Sequence, residues 1–172
     1  MKIKRVEHIG IAVEDFAAMT SLFRDKLGLN LDYVEELHDS QTRLAMLPAG
    51  QTFIELLEGM SPGSNTSKFI AERGAGLYHI CFEVDDIDAA LAELKEKGVK
   101  LRNEVPVTGH ANSRIAFLDP SDTGGVLIEL AELAPGHARA KRQKHCMPRR
   151  HAFQIHLVLA RAIPPRYDAS HV

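Results

Sequence analysis

Two segments of the chain, VEHIGIAVEDF at residues 6 to 16 and LYHICFEVDDI at residues 77 to 87, carry a histidine at the same place in similar strand-like runs. The correspondence continues downstream. His8 matches His79, the turn glycine Gly28 matches Gly98, RLAML at 43 to 47 matches RIAFL at 114 to 118, and IEL at 54 to 56 matches IEL at 128 to 130. The offset between partners drifts only from 70 to 74 residues. A repeat of this kind constrains the fold more firmly than any local propensity, because both copies must build the same supersecondary unit.

Within each copy the order is strand, helix, then three strands. Asp15 is placed to cap a helix in which Phe16, Met19, Phe23 and Leu27 share one face, and Gly28 can supply a left-handed stop. In the second copy Asp86 caps a helix with Ile87, Ala90, Leu91 and Leu94 on one face; Lys95 and Lys97 suit its end, and Gly98 closes it. Strands follow over 31–36, 44–47 and 52–57, and again over 99–103, 115–118 and 126–130. The fold class is therefore α+β: two tandem βαβββ modules, about residues 3–58 and 76–133, forming a curved mixed sheet within a single domain spanning 1–134. The link between them contains SKFIAERG, long enough for one or two helical turns.

Charge separates this body from the C-terminal stretch. Residues 1–134 hold 13 basic and 22 acidic residues, a balance of −9, whereas 135–172 hold 8 basic residues and one acid, Asp168. The latter stretch also has five of the nine histidines and four of the eight prolines, and reads as a flexible basic extension that activity should not need. A short basic run at a terminus is usually solvated, so no nucleic-acid partner is expected. No run approaches the roughly 18 apolar residues that cross a bilayer, so no membrane partner is expected either. Cys81 and Cys146 lack metal-ligand spacing and read as free thiols in a reducing compartment, which points to the cytoplasm.

Strand alternation sorts the chemistry. Ile9, Ile11 and Val13 share one face and His8, Gly10 and Ala12 the other; Ile80, Phe82 and Val84 likewise oppose His79, Cys81 and Glu83. Glu55 lies opposite Ile54 and Leu56, and Glu129 opposite Ile128 and Leu130. Each module thus offers one histidine and one glutamate away from its helix, and curvature would bring all four together. An unpaired glutamate in an apolar strand costs several kcal/mol if buried, and a divalent cation removes that cost. Two neutral imidazoles and two carboxylates make a neutral site with M²⁺, suited to Co²⁺, Ni²⁺, Mn²⁺, Fe²⁺ or Zn²⁺, and octahedral ligation would leave two positions for a chelating substrate.

These residues resemble the vicinal oxygen chelate superfamily, in which paired βαβββ modules form a cup around a divalent metal. Within it the closest likeness is to the methylmalonyl-CoA epimerases, carried by HIGIAVEDF at 8 to 16, FIELLEGMSP at 53 to 62, SKFIAERGAGLYHICFEVDDIDAAL at 67 to 91, RIAFLDP at 114 to 120 and TGGVLIEL at 123 to 130. The resemblance implies His8, Glu55, His79 and Glu129 as metal ligands, an acyl-CoA substrate, a homodimer, and epimerisation of methylmalonyl-CoA through a metal-stabilised enolate. Glu129 matches a family acid/base position, and Glu55, its partner in the repeat, is the candidate second base. The chain departs from the family where Tyr78 replaces a second adjacent histidine, where Ala111 and Asn112 stand in place of glycines, and at Asp119. A glyoxalase I-like lactoylglutathione lyase shares the same His/Glu/His/Glu set. A metal-free protein that sequesters a ligand in the same fold need not keep it, and an extradiol dioxygenase would use a two-histidine, one-carboxylate triad.

Overall fold

The computed structural model describes residues 1–136. The expectation of a flexible extension over 135–172, and with it Cys146, therefore falls almost entirely outside the described residues. The elements are β1 (Ile3–Ala12), α1 (Phe16–Ser21), β2 (Tyr33–Leu37), β3 (Thr42–Ala49), β4 (Thr52–Gly59), α2 (Asn65–Arg73), β5 (Gly76–Val84), α3 (Ile87–Glu96), β6 (Val107–Thr108), β7 (Arg114–Phe117) and β8 (Leu127–Glu132). The helix starts are set by side-chain oxygens that accept otherwise unsatisfied backbone N–H groups: Asp15 from Ala18 at 2.8 Å, Ser64 from Ser67 at 3.1 Å and Asp86 from Ala89 at 2.9 Å.

The strands form one eight-stranded mixed sheet in the order β2-β3-β4-β1-β5-β8-β7-β6. At its centre β1 and β5, the first strands of the two modules, pair antiparallel. Each module closes on itself through a parallel pair, β1 with β4 and β5 with β8. The four strands bearing the sequence-predicted ligands are thus neighbours, in the order β4, β1, β5, β8. The sheet is strongly curved, because groups at its two ends meet: Tyr33 Oη, on edge strand β2, lies 2.9 Å from His110 Nδ1, and Glu35 accepts from the Ala111 amide at 2.8 Å. His110 and Ala111 precede β7, at the opposite edge.

Each helix covers the convex face of its own module. On one side Phe16, Met19 and Phe23 pack against Val13, Ala45, Leu47 and Leu56; on the other Ile87, Ala90, Leu91 and Leu94 pack against Val84, Ala116, Leu118 and Leu130. Each fully buried large side chain contributes roughly 1.5–3 kcal/mol, so the helices hold the curvature that the site requires.

Two local expectations are corrected. The first helix does not run regularly to Gly28: residues Leu22–Lys26 form a π-helical turn, whose extra residue per turn rotates Leu27 off the apolar face and leaves it 61% exposed. The strand expected over 99–103 is reduced to a single bridge between Leu101 and Leu118. There the Asn103 side chain accepts the Phe117 amide at 3.1 Å, taking the position a backbone carbonyl would hold, and pairing resumes only at β6.

Candidate metal centre

The site begins with a flaw in the central ladder. Val6 pairs with Phe82 and His8 with Cys81, so Glu7 is an extra residue in β1. This bulge breaks strict alternation and turns both Glu7 and His8 inward, where each is fully buried. Glu7 Oε2 lies 2.6 Å from His8 Nδ1, which holds a proton on Nδ1 and leaves Nε2 facing the cup. Across the ladder His79 pairs with Gly10. A side chain at Gly10 would sit within 2.5 to 2.8 Å of three atoms of the His79 ring, so the missing Cβ is what lets that imidazole lie over the strand.

All four sequence-predicted residues come together. His8 Nε2 and His79 Nε2 face each other at 2.7 Å. Glu55 Oε2 lies 3.2 Å from the first and 3.3 Å from the second, and Glu129 Oε2 lies 3.8 and 3.1 Å from them. The four are at most 3% exposed. The donor atoms of His8, Glu55 and His79 are all within 4.8 Å of one another. Despite its proximity to both rings, the buried Glu55 Oε2 makes no hydrogen bond, and His79 Nδ1 has none either. Two imidazole nitrogens and a carboxylate this close, with a second carboxylate beside them and an oxygen left unsatisfied, suit a small divalent cation. Cys81, also buried, groups with Glu7 and His8 rather than with these four, and burial, then Glu129, pushes its thiol far above the usual range.

Electrostatics shift two members of the cluster in opposite directions. Burial opposes charge on His8, but Glu55 and then Glu129 outweigh it and raise its pKa well above the ordinary value. Burial likewise opposes charge on Glu55, yet His8 and His79 hold its pKa well below the carboxylate range. The raised His8 value favours folding fully below about pH 6.5, and this contribution fades as pH rises through the folded pKa; the lowered Glu55 value favours folding above about pH 4.3 and fades as pH falls through its own. A cation must displace the proton from His8 Nε2. Co²⁺ binding is therefore expected to release protons and to weaken as pH is lowered from about 8 to about 6. Calorimetry in two buffers of different ionisation enthalpy reads this directly, and an affinity indifferent to pH would remove the imidazoles from the ligand set.

Three residues of the site were not found from sequence. Glu7 is held as an anion, far below its usual pKa: burial works against this, but His110 and His8 outweigh it. Arg5 donates to its other oxygen at 3.2 Å. His110 Nε2 lies 3.5 Å from Glu7 Oε2, and Tyr33 sits on the far side of the His110 ring. Tyr33, His110, Glu7 and His8 thus form a buried polar chain that ends on a ligand nitrogen. Ala111 and Asn112 adopt the left-handed conformation, φ 48° and 57°, which explains the suitability of glycine at these positions and shows a strained turn holding His110 in place. Glu7→Gln keeps the shape but weakens the hold on the His8 tautomer; it is expected to lower Co²⁺ affinity about 10- to 100-fold. Titration of the variant beside the parent protein checks this, and equal affinities would remove Glu7 from the design of the site.

The centre lies in a cavity of about 340 Å³ whose wall includes Leu44, Tyr78, Ile115 and Phe117. The chain also has clear relatives. It is 35% identical over 133 residues to the ethylmalonyl-CoA/methylmalonyl-CoA epimerase of Cereibacter sphaeroides, covering 76% of this chain and 99% of that protein. It is 33% identical over 132 residues to the mitochondrial methylmalonyl-CoA epimerase of Mus musculus, covering 76% and 74%. A solved structure of Streptomyces coelicolor methylmalonyl-CoA epimerase, a variant in complex with 2-nitronate-propionyl-CoA, superposes with a TM-score of 0.76 at 34% identity, covering 78% of this chain and 97% of that one. The family model of the glyoxalase/bleomycin resistance protein/dioxygenase superfamily matches residues 7–117, and with the paired βαβββ modules and their shared centre this chain belongs to that superfamily.

Proposed function

We propose that this chain is a divalent-metal-dependent epimerase that interconverts the 2R and 2S forms of methylmalonyl-CoA, with His8, Glu55, His79 and Glu129 as the metal ligands. The observation that carries this reading is the meeting of two buried imidazole nitrogens and two buried carboxylates, with Glu55, His79 and Glu129 lining one cavity, in a chain whose relatives include epimerases of CoA thioesters. A bound cation would supply Lewis-acid stabilisation of the negative charge that loss of the α-proton leaves on the thioester. Glu129 removes that proton. Glu55, on β4 where Glu129 is on β8, flanks the histidine pair from the other side, which supports its returning a proton to the opposite face of the α-carbon. Leu44, Ile115 and Phe117 line the cavity with apolar surface and limit access of water to the reacting carbon.

The test follows the α-proton of methylmalonyl-CoA in deuterated water with Co²⁺ added, beside a parallel assay of methylglyoxal with glutathione. Exchange in the first alone supports the epimerase; turnover in the second alone replaces it with a glyoxalase I-like lyase. The resemblance carries a homodimer, the lack of a membrane-length apolar run together with the free thiols a cytoplasmic location, and the repeat with the charge division a single catalytic domain over 1–134. Sedimentation of the full chain and activity after removal of 136–172 test the first and last of these. Among the described residues no helix is long and apolar enough to cross a membrane.

A further inference from the structure

The two ends of the sheet meet without pairing. β2 and β6 are its edge strands and share no ladder. Side chains close the seam instead: Tyr33 Oη lies 2.9 Å from His110 Nδ1, and Glu35 accepts the Ala111 N–H at 2.8 Å. Tyr33, Glu35 and Leu37 share the inner face of β2, while Val34 and Glu36 are exposed on its outer face. Both sides of the seam belong to the wall of the metal-centre cavity, Leu37 and Leu44 on one side and Thr108 and His110 on the other. A seam that parts therefore opens the cavity.

The turn that carries His110 is held in an unfavourable shape. Ala111 and Asn112 are consecutive left-handed residues, a conformation disfavoured for any residue with a Cβ. Before them, a Cβ on Gly109 would lie 2.6 Å from Ile115 Cγ2 and 2.9 Å from Ser113 Oγ. Such a turn persists only where its surroundings determine it. Here Tyr33 and Glu35 hold it from the far edge of the sheet, and Glu7 holds it from beside His8.

Glu7 joins this turn to the metal centre. Its Oε2 lies between two rings, 2.6 Å from His8 Nδ1 and 3.5 Å from His110 Nε2. Those rings stand almost perpendicular, at 79° with centroids 5.2 Å apart. Arg5 donates to the other Glu7 oxygen at 3.2 Å. His8, Glu7 and His110 are all buried, so water does not stand in for a displaced partner. A carboxylate shared between two rings cannot follow a displaced His110 without changing its hold on His8, whose Nε2 faces His79 Nε2 at 2.7 Å.

We propose that Tyr33 and His110 are positioning residues for the metal centre. They latch the two edges of the sheet together and, through Glu7, orient the His8 imidazole, so that closure of the cavity wall and ligation by His8 favour one another. The effect is reciprocal: whatever the latch adds to metal affinity, metal binding adds to closure of the latch. The proposal rests on the reading of His8 as a ligand.

The experiment uses the full chain, with Co²⁺ for affinity and Zn²⁺ for NMR. Tyr33→Phe removes one hydroxyl from the seam and should weaken Co²⁺ binding about 3- to 10-fold, and His110→Ala about 10- to 100-fold, the range for partners that orient a ligand. In a Glu7→Gln background Tyr33→Phe should change the affinity no further, because its route to His8 is gone. Zn²⁺ should slow hydrogen exchange of the Ala111 amide in the parent and leave it unchanged in His8→Ala. In the metal-free protein Tyr33→Phe should move the nitrogen chemical shifts of the His8 ring. A latch that is merely structural lowers the thermal midpoint and moves none of these quantities. Parental Co²⁺ affinity in both Tyr33→Phe and His110→Ala would overturn the proposal, as would an equal loss from Tyr33→Phe with and without Glu7, or Ala111 exchange indifferent to Zn²⁺. If the parent binds no Co²⁺, the metal-centre reading fails by itself; a shift of the His8 nitrogens in Tyr33→Phe then still upholds the positioning, and unmoved nitrogens overturn it as well.

Discussion

Glu129→Gln is expected to lower metal-dependent α-proton exchange of the epimer whose α-proton faces Glu129 by about 10²- to 10⁴-fold, the range that a positioned acid/base supplies, while the protein stays folded. The substitution is nearly isosteric in a buried position on β8, and the amide keeps an oxygen to face the cation; what it loses is the capacity to hold the substrate's proton. Glu55→Gln provides the contrast. If Glu55 serves the other face of the α-carbon, its amide variant should still exchange the proton of one epimer with solvent but fail to convert that epimer into the other. Proton NMR in deuterated water resolves exchange from conversion. Near-parental exchange of both epimers in Glu129→Gln would deny it the role of base, whatever its part in holding metal.

The second large effect comes from a residue with no side chain. Gly10→Ala places a Cβ 2.5 Å from His79 Cε1, 2.7 Å from Nδ1 and 2.8 Å from Nε2, well inside contact distance, so the imidazole must swing away from His8 and Glu129. Co²⁺ affinity should fall at least 100-fold although all four ligands remain. The crowding should also cost roughly 1–3 kcal/mol of stability. Gly28→Ala is the control: Gly28 has φ +75°, and nothing lies within 4 Å of where an added methyl group would sit. Alanine there strains the backbone by about 1–2 kcal/mol and leaves metal affinity as it was. Equal metal affinity in Gly10→Ala and the parent would mean that His79 does not ligate from the position described.

Much of this architecture was legible because the chain states it twice. The repeat identifies both modules, and strict alternation around Glu55 and Glu129 places those carboxylates opposite the helix-facing Ile54, Leu56, Ile128 and Leu130. What sequence periodicity misses is where a strand abandons its period. Glu7 reads as an outward neighbour of His8, and only the bulge against Phe82 and Cys81 turns it inward. A glutamate directly preceding a predicted ligand histidine was the available signal. His110 and Tyr33 are 77 residues apart and meet only because the two edges of the curved sheet come together, a contact with no local signature. The π turn after Ser21 and the Asn103 side chain that replaces a ladder carbonyl are likewise tertiary choices that helix and strand propensities do not encode.

Whether side chains from both halves of the repeat hold one cation is decided by equilibrium dialysis of the full chain against Co²⁺, with the visible absorption of the bound ion recorded. His8→Ala, from the first module, and His79→Ala, from the second, are measured beside the parent. The parent should hold about one ion per chain with an absorption typical of mixed nitrogen and oxygen ligation, and either variant should lose both. Binding that survives both substitutions with an unchanged spectrum would place the cation elsewhere and refute a shared centre.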